Sequence, residues 1–63
     1  MSGETVVTVA RAALLDIGRD DLADAIVWFE EDGGYIEVLD DVTFADMRLI
    51  VRAEELGRQA ATA

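Results

Sequence analysis

The 63-residue chain contains no cysteine, no histidine, no proline and no lysine. Without cysteine there is no disulfide, no thiolate nucleophile and no sulfur ligand. Without histidine as well, a zinc site loses its usual nitrogen and sulfur donors. Ser2, the only serine, has no imidazole to activate it. Paired carboxylates remain as acid–base candidates, yet so short a chain can hardly close a water-excluded pocket around them. The expectation is a protein that is not an enzyme and carries no cofactor and no metal. No apolar run approaches the roughly 20 residues of a membrane span. The start, MSGETVVTVARAALL, has no basic residue ahead of its apolar part, unlike a secretory signal. A cytoplasmic setting is expected, the host cytoplasm if the chain is phage-encoded.

What is present is apolar and acidic. Residues AVILMFWYC make up 52% of the chain, too many for intrinsic disorder despite a net charge of -9. One small acidic domain over residues 1–63 is expected. A domain of this size buries only about 60% of the surface its unfolded chain exposes, so its core alone is marginal. Disulfides are excluded and a metal is disfavoured. Self-association is then the remaining source of stability, and a homodimer is expected.

The charge is unevenly placed. Between Asp20 and Asp46 there are ten acids and no base; the rest of the chain holds all five Arg against four acids. Nucleic-acid binding needs clustered basic residues that displace counterions. An acidic chain is repelled by DNA, RNA and anionic membrane alike, so neither direct nucleic-acid binding nor membrane binding is expected. All four aromatics, Trp28, Phe29, Tyr35 and Phe44, lie in the same acidic segment.

The expected fold is mostly α: a small three-helix domain with helices over about 4–17, 21–31 and 43–60 and a short extended segment at 35–39. In the first helix Ser2 is the candidate cap. Val6, Ala10, Ala13, Leu14 and Ile17 recur at helical spacing, with Thr8, Arg11 and Leu15 on the other side. A strand at Thr5–Val9 competes, since Thr and Val favour strands, but the Ala-rich continuation favours helix. Gly18 has the place of a C′ glycine. In the second helix Leu22, Ala25, Ile26 and Phe29 form one apolar face, and Asp21 with Asp24 resembles a capping box. One feature disagrees. Glu30, Glu31 and Asp32 would crowd the negative end of that helix dipole. The alternative is α+β, with a β-hairpin at 26–39 turning around Asp32-Gly33, Phe29 opposite Ile36 and Val27 opposite Val38. In the third helix Thr43 is the cap, Asp46 answers it at N3, and Val42 can staple to Met47. Its apolar residues Phe44, Met47, Ile50, Val51 and Leu56, widened by Leu49, Ala53 and Ala60, cover so much of the circumference that burial on two sides is expected.

The EF-hand pattern for calcium fits neither glycine of the acidic segment. With Gly33 at its sixth position the first and last places fall on Trp28 and Leu39; with Gly34 they fall on Phe29 and Asp40. Neither frame supplies the ligands. Arg48 and Arg52, one turn apart, are expected to neutralise acids of the 20–46 block, within the chain or across a dimer. What remains is a binding surface. The sequence points to a protein-interaction module or inhibitor, of the kind phages and mobile elements encode, that meets a basic surface of a host protein and in the extreme mimics DNA. Asp24, Trp28, Glu31, Asp32, Tyr35, Glu37, Asp40 and Asp41 are the candidate partner-binding residues. The alternative is a structural or regulatory homodimer, antitoxin-like or an assembly protein, joined through Phe44, Met47, Ile50 and Val51.

Overall fold

The first helix begins before the first of its β-prone residues and carries them through. α1 spans Gly3–Asp16 in a computed structural model that describes residues 3–62. Helix wins over the competing strand at 5–9 because ARAALLD continues the same helical period. The Ser2 cap lies outside the described residues. α1 closes with a Schellman motif: Gly18, at φ 78°, donates its N–H to Leu15 O at 3.0 Å, and Arg19 donates to Leu14 O at 2.9 Å. Its buried face is Gly3, Val6, Val7, Ala10 and Leu14. Ile17 is exposed rather than buried, because the chain has already turned away at that point. Arg11 is not on a solvent face either. Its Nε donates to Ala23 O and its Nη2 to Ile26 O, both at 3.0 Å.

The second helix is much shorter than the expected 21–31. α2 spans Asp20–Ala25, and the next four residues form strand β1, Ile26–Phe29. The β-branched and aromatic run IVWF favours a strand. The acids that would have crowded a helix C-terminus instead occupy a turn, which includes a single 3-10 turn at Glu31–Gly33. Three successive left-handed residues, Asp32 at φ 54°, Gly33 at φ 86° and Gly34 at φ 95°, reverse the chain. β2 then runs over Tyr35–Val38, antiparallel to β1. The architecture is three helices and a two-stranded hairpin, mostly helical, with the hairpin alternative deciding how residues 26–39 fold. No side chain caps α2; the expected Asp21–Asp24 box does not form, because Asp21 is drawn back to Arg19.

The hairpin register differs from the expected one by one residue. The pairs are Ile26 with Val38, Val27 with Glu37, Trp28 with Ile36, and Phe29 with Tyr35. A shift of one residue exchanges the two faces of a strand. Ile26, Trp28, Ile36 and Val38 therefore face the core, and Val27, Phe29, Tyr35 and Glu37 face outward.

α3 spans Phe44–Thr62 and starts as expected. Asp46 N–H donates to Thr43 Oγ1 at 3.1 Å, and Met47 N–H to Thr43 O at 2.9 Å. The Asp46 carboxylate, at the N3 place of the capping box, also accepts from Arg19 Nη1 at 2.9 Å. The core gathers Val7, Ala10, Leu14, Leu22, Ala23, Ile26, Ile50 and Ala53. Leu14 and Ile26 are each 1% exposed. α1 and α3 make the largest contact between elements, and small residues, Ala10, Ala53 and Gly57, let them approach closely. No helix is long and apolar enough to cross a membrane, among the described residues.

Candidate protein-interaction surface

The register decides what the hairpin shows to solvent. Phe29 and Tyr35, paired across the strands, stack with ring centroids 5.8 Å apart and an interplanar angle of 20°. They remain 37% and 36% exposed. Glu37 shares that outer face, one pair further along. Glu31 and Asp32 stand at the tip, while Asp40 and Asp41 leave β2 at the other end. The pairing continues past the strands, with Leu39 N–H donating to Ala25 O at 2.7 Å. Asp24 is thereby placed at the same end as Asp40 and Asp41. Seven of the eight candidate partner-binding residues are exposed. Among the described residues no ion pair engages Asp24, Glu31, Asp32, Glu37, Asp40 or Asp41.

Trp28 departs from that group. Its ring is turned inward against the core and lies between Gly3 and Gly34. The Arg58 guanidinium sits over it at 5.7 Å from the ring centroid. Arg58 also donates to Gly34 O at 3.1 Å and pairs with Glu54 at 2.6 Å, the i,i+4 partner on α3. The indole N–H is taken up by the Glu30 carboxylate. Trp28 thus ties the hairpin tip to α1 and α3. The aromatic that faces outward beside Tyr35 is Phe29, which the sequence placed on a buried face. Its signal was available only through the register.

The residues expected at a dimer interface also divide. Ile50 is 2% exposed and belongs to the core of the single chain, because it lies on the side of α3 that packs on α1. Phe44 is 92% exposed, with Met47 and Val51 beside it. Arg48 and Arg52 run along this same outer side. Among the described residues neither makes an ion pair. Within the chain, neutralisation of the acidic block falls to Arg19. Leu39, at the end of the hairpin, is a further exposed apolar side chain.

Arg19 bridges two elements. Its Nη2 meets Asp21 Oδ2 at 3.0 Å and its Nη1 meets Asp46 Oδ1 at 2.9 Å. Hydrogen bonds from Arg19 hold both carboxyls below the usual carboxylate range, against a smaller desolvation effect in the opposite direction. The two carboxylates raise the guanidinium further above its ordinary value. Asp21 and Asp46 therefore bind their protons less readily folded than unfolded. Their contribution to stability is complete above the unfolded value of about 3.9 and is lost as pH falls through their lower folded values. The melting temperature of Asp46→Asn is expected to lie below that of the unaltered protein at neutral pH. The two should converge in acid. Thermal melts across pH measure the gap, and a gap that does not change with pH would refute the assignment.

Chemically, the arrangement is a surface. Among the described residues, no three acids converge closely enough to hold a metal ion. Open grooves lined mainly by apolar side chains run along α3, past Phe44, Met47 and Val51, and between α3 and α1, past Leu14 and Leu56. No protein-family model, curated protein or solved structure matches this chain.

Proposed function

We propose that the chain is a non-catalytic protein-interaction module that meets a basic surface of a partner protein with its acidic hairpin. The observation that carries this reading is the exposed Phe29–Tyr35 stack among acids that, among the described residues, no ion pair engages. Aromatic anchors within a charged rim are a recurring composition of protein-binding sites. A single-sign field also steers an oppositely charged partner. In its extreme form the carboxylates stand where nucleic-acid phosphates would, as in a DNA-mimicking inhibitor of phage or mobile-element origin.

The test is retention of host proteins on the immobilised chain at low and high salt. The screening length shortens from about 10 Å at 0.1 M to about 3 Å at 1 M, so retention should fall steeply. Changing Glu31, Asp32, Asp40 and Asp41 together to their amides should weaken binding at least roughly tenfold, at a few tenths of a kcal/mol or more per exposed charge. Binding indifferent to both salt and these changes would rule the reading out.

A second reading is favoured by one observation of its own, the exposure of Phe44 beside Met47 and Val51. Self-association through the outer side of α3 would cover them and make the chain a structural or regulatory homodimer. Sedimentation should then show a dimer that Phe44→Glu converts to a folded monomer. A monomer at every accessible concentration would exclude it.

A further inference from the structure

Among the described residues, one of the hairpin's two edges is covered and the other is open. Leu39 N–H bonds to Ala25 O, and bonded and non-bonded pairs alternate along an antiparallel ladder. Val27–Glu37 and Phe29–Tyr35 are therefore the pairs whose N–H and C=O groups face each other. Those of Ile26, Trp28, Ile36 and Val38 point away from the ladder. The Ile26 carbonyl bears this out, since it turns outward to accept from Arg11 Nη2 at 3.0 Å. That contact belongs to α1, which packs along β1. β2 has no equivalent. Among the described residues no hydrogen bond reaches the outward N–H and C=O groups of Ile36 and Val38.

Open strand edges pair readily and are usually blocked by short length, charged side chains, proline, a bulge or a covering element. β2, with the sequence YIEV, is short but has no proline and no bulge, and its one charge, Glu37, works against an acidic partner and not against a basic one. We infer that the outer edge of β2 receives an extended, Lys/Arg-bearing segment of a partner protein as a third strand. This rests on the acidic-surface reading above and says how the partner is held. Charge selects the occupant. Glu37 lies in the strand, with Glu31 and Asp32 before it and Asp40 and Asp41 after it. A second copy presenting the same edge would set carboxylates against carboxylates, and like charges opposite each other destabilise a pair. A basic strand meets the opposite field.

The alternation of side chains sets the pattern. On the outer face an added strand places Lys or Arg beside Glu37, within about 4.5–5.5 Å between Cβ atoms, and beside the ring of Tyr35. On the inner face its residues lie beside Ile36 and Val38 and are apolar. Main-chain bonds supply affinity and the alternating side chains supply selectivity, as in other strand additions.

The probe is a blocked peptide of alternating valine and Lys/Arg, added to the isotopically labelled chain. Hydrogen exchange at the Ile36 and Val38 amides should slow at least about tenfold on saturation, while the Glu37 amide, already bonded within the hairpin, changes little. Val38→Pro removes one outward N–H and leaves the Val27–Glu37 pair intact, a place where an edge strand tolerates proline. It should lower peptide affinity about tenfold or more with the near-UV signal of Trp28 retained. Should that variant fail to fold, the exchange measurement on the unaltered chain decides. If the peptide binds in a salt-dependent way but leaves the exchange at Ile36 and Val38 unchanged, strand addition is wrong and the acidic-surface reading stands. If the peptide fails to bind while host proteins are still retained at low salt, the result is the same. Loss of all salt-dependent binding removes both. Protection of these two amides that appears without peptide and grows with chain concentration would assign the edge to a second copy and overturn the inference.

Discussion

Gly57→Ala is expected to destabilise the protein by about 2 kcal/mol or more, although alanine is the better helix former. Gly57 is buried where α3 crosses α1, and a Cβ there would stand 2.3 Å from the carbonyl oxygen of Val6. The obstacle is backbone, so no side chain can swing aside; the two helices must separate. Alanine ordinarily strengthens a helix by about 1 kcal/mol relative to glycine, which makes the sign of the effect informative. Overpacking of a tight interface costs about 1–3 kcal/mol and sometimes more. A chain of this length is expected to have only about 3–9 kcal/mol of total stability. Denaturant unfolding followed by circular dichroism should show a loss of about 2 kcal/mol or more. A midpoint equal to or above that of the unaltered protein would mean that the helices do not approach as described. Gly57→Ser should behave at least as badly, since it adds a hydroxyl to the same collision.

Much of this fold is written locally, and those parts are legible. The start of α3 follows from Thr43 and Asp46 three residues apart, and the end of α1 from Gly18. Both are motifs in which a few neighbours satisfy the orphan groups of a helix terminus. The misfit at Glu30, Glu31 and Asp32 was also legible as a conflict between acids and a helix dipole. It resolves as a turn. The register was not legible, because DGG offers more than one way to reverse the chain, and adjacent registers both leave apolar pairs. The left-handed conformation of three successive residues, Asp32, Gly33 and Gly34, selects one of them. That selection moves Phe29 out and Trp28 in, and so rewrites the candidate surface.

The acidity, by contrast, needed no structure, since exposure is the default for unpaired carboxylates. The structure adds which acids are engaged. Asp21 and Asp46 belong to Arg19, and Glu30 meets the Trp28 indole. The remainder of the block is unengaged by any ion pair among the described residues. The distribution of arginines has the same character. Arg11, Arg19 and Arg58 each join elements far apart in sequence, to Ile26, Asp46 and Gly34 respectively. Nothing in the local pattern distinguishes them from Arg48 and Arg52, which make no such bond among the described residues.

Trp28 and Phe29 are adjacent in sequence and opposite in consequence, so substituting each separates stability from binding. Trp28→Ala removes the ring held between Gly3 and Gly34, the seat of Arg58, and the inner partner of Ile36. Truncating a large aromatic in a core costs about 3–5 kcal/mol. Because Trp28 is only partly buried, the lower end, about 3 kcal/mol, is expected, which is still a large share of the stability available to so small a fold. The hairpin should lose its anchorage first. Amide exchange within 26–38 should then quicken more than exchange in the buried half of α1. Phe29→Ala removes an exposed ring from the stack with Tyr35 and should lower stability by no more than about 1 kcal/mol. Its effect belongs in partner affinity, where a hot-spot aromatic is worth about 2 kcal/mol or more. The pair of melting curves and the pair of binding curves are therefore expected to rank the two variants in opposite order among those that remain folded. If Phe29→Ala proved the more destabilising, the register would be the one with Phe29 inward, and the outer face of the hairpin would have to be redrawn around Trp28.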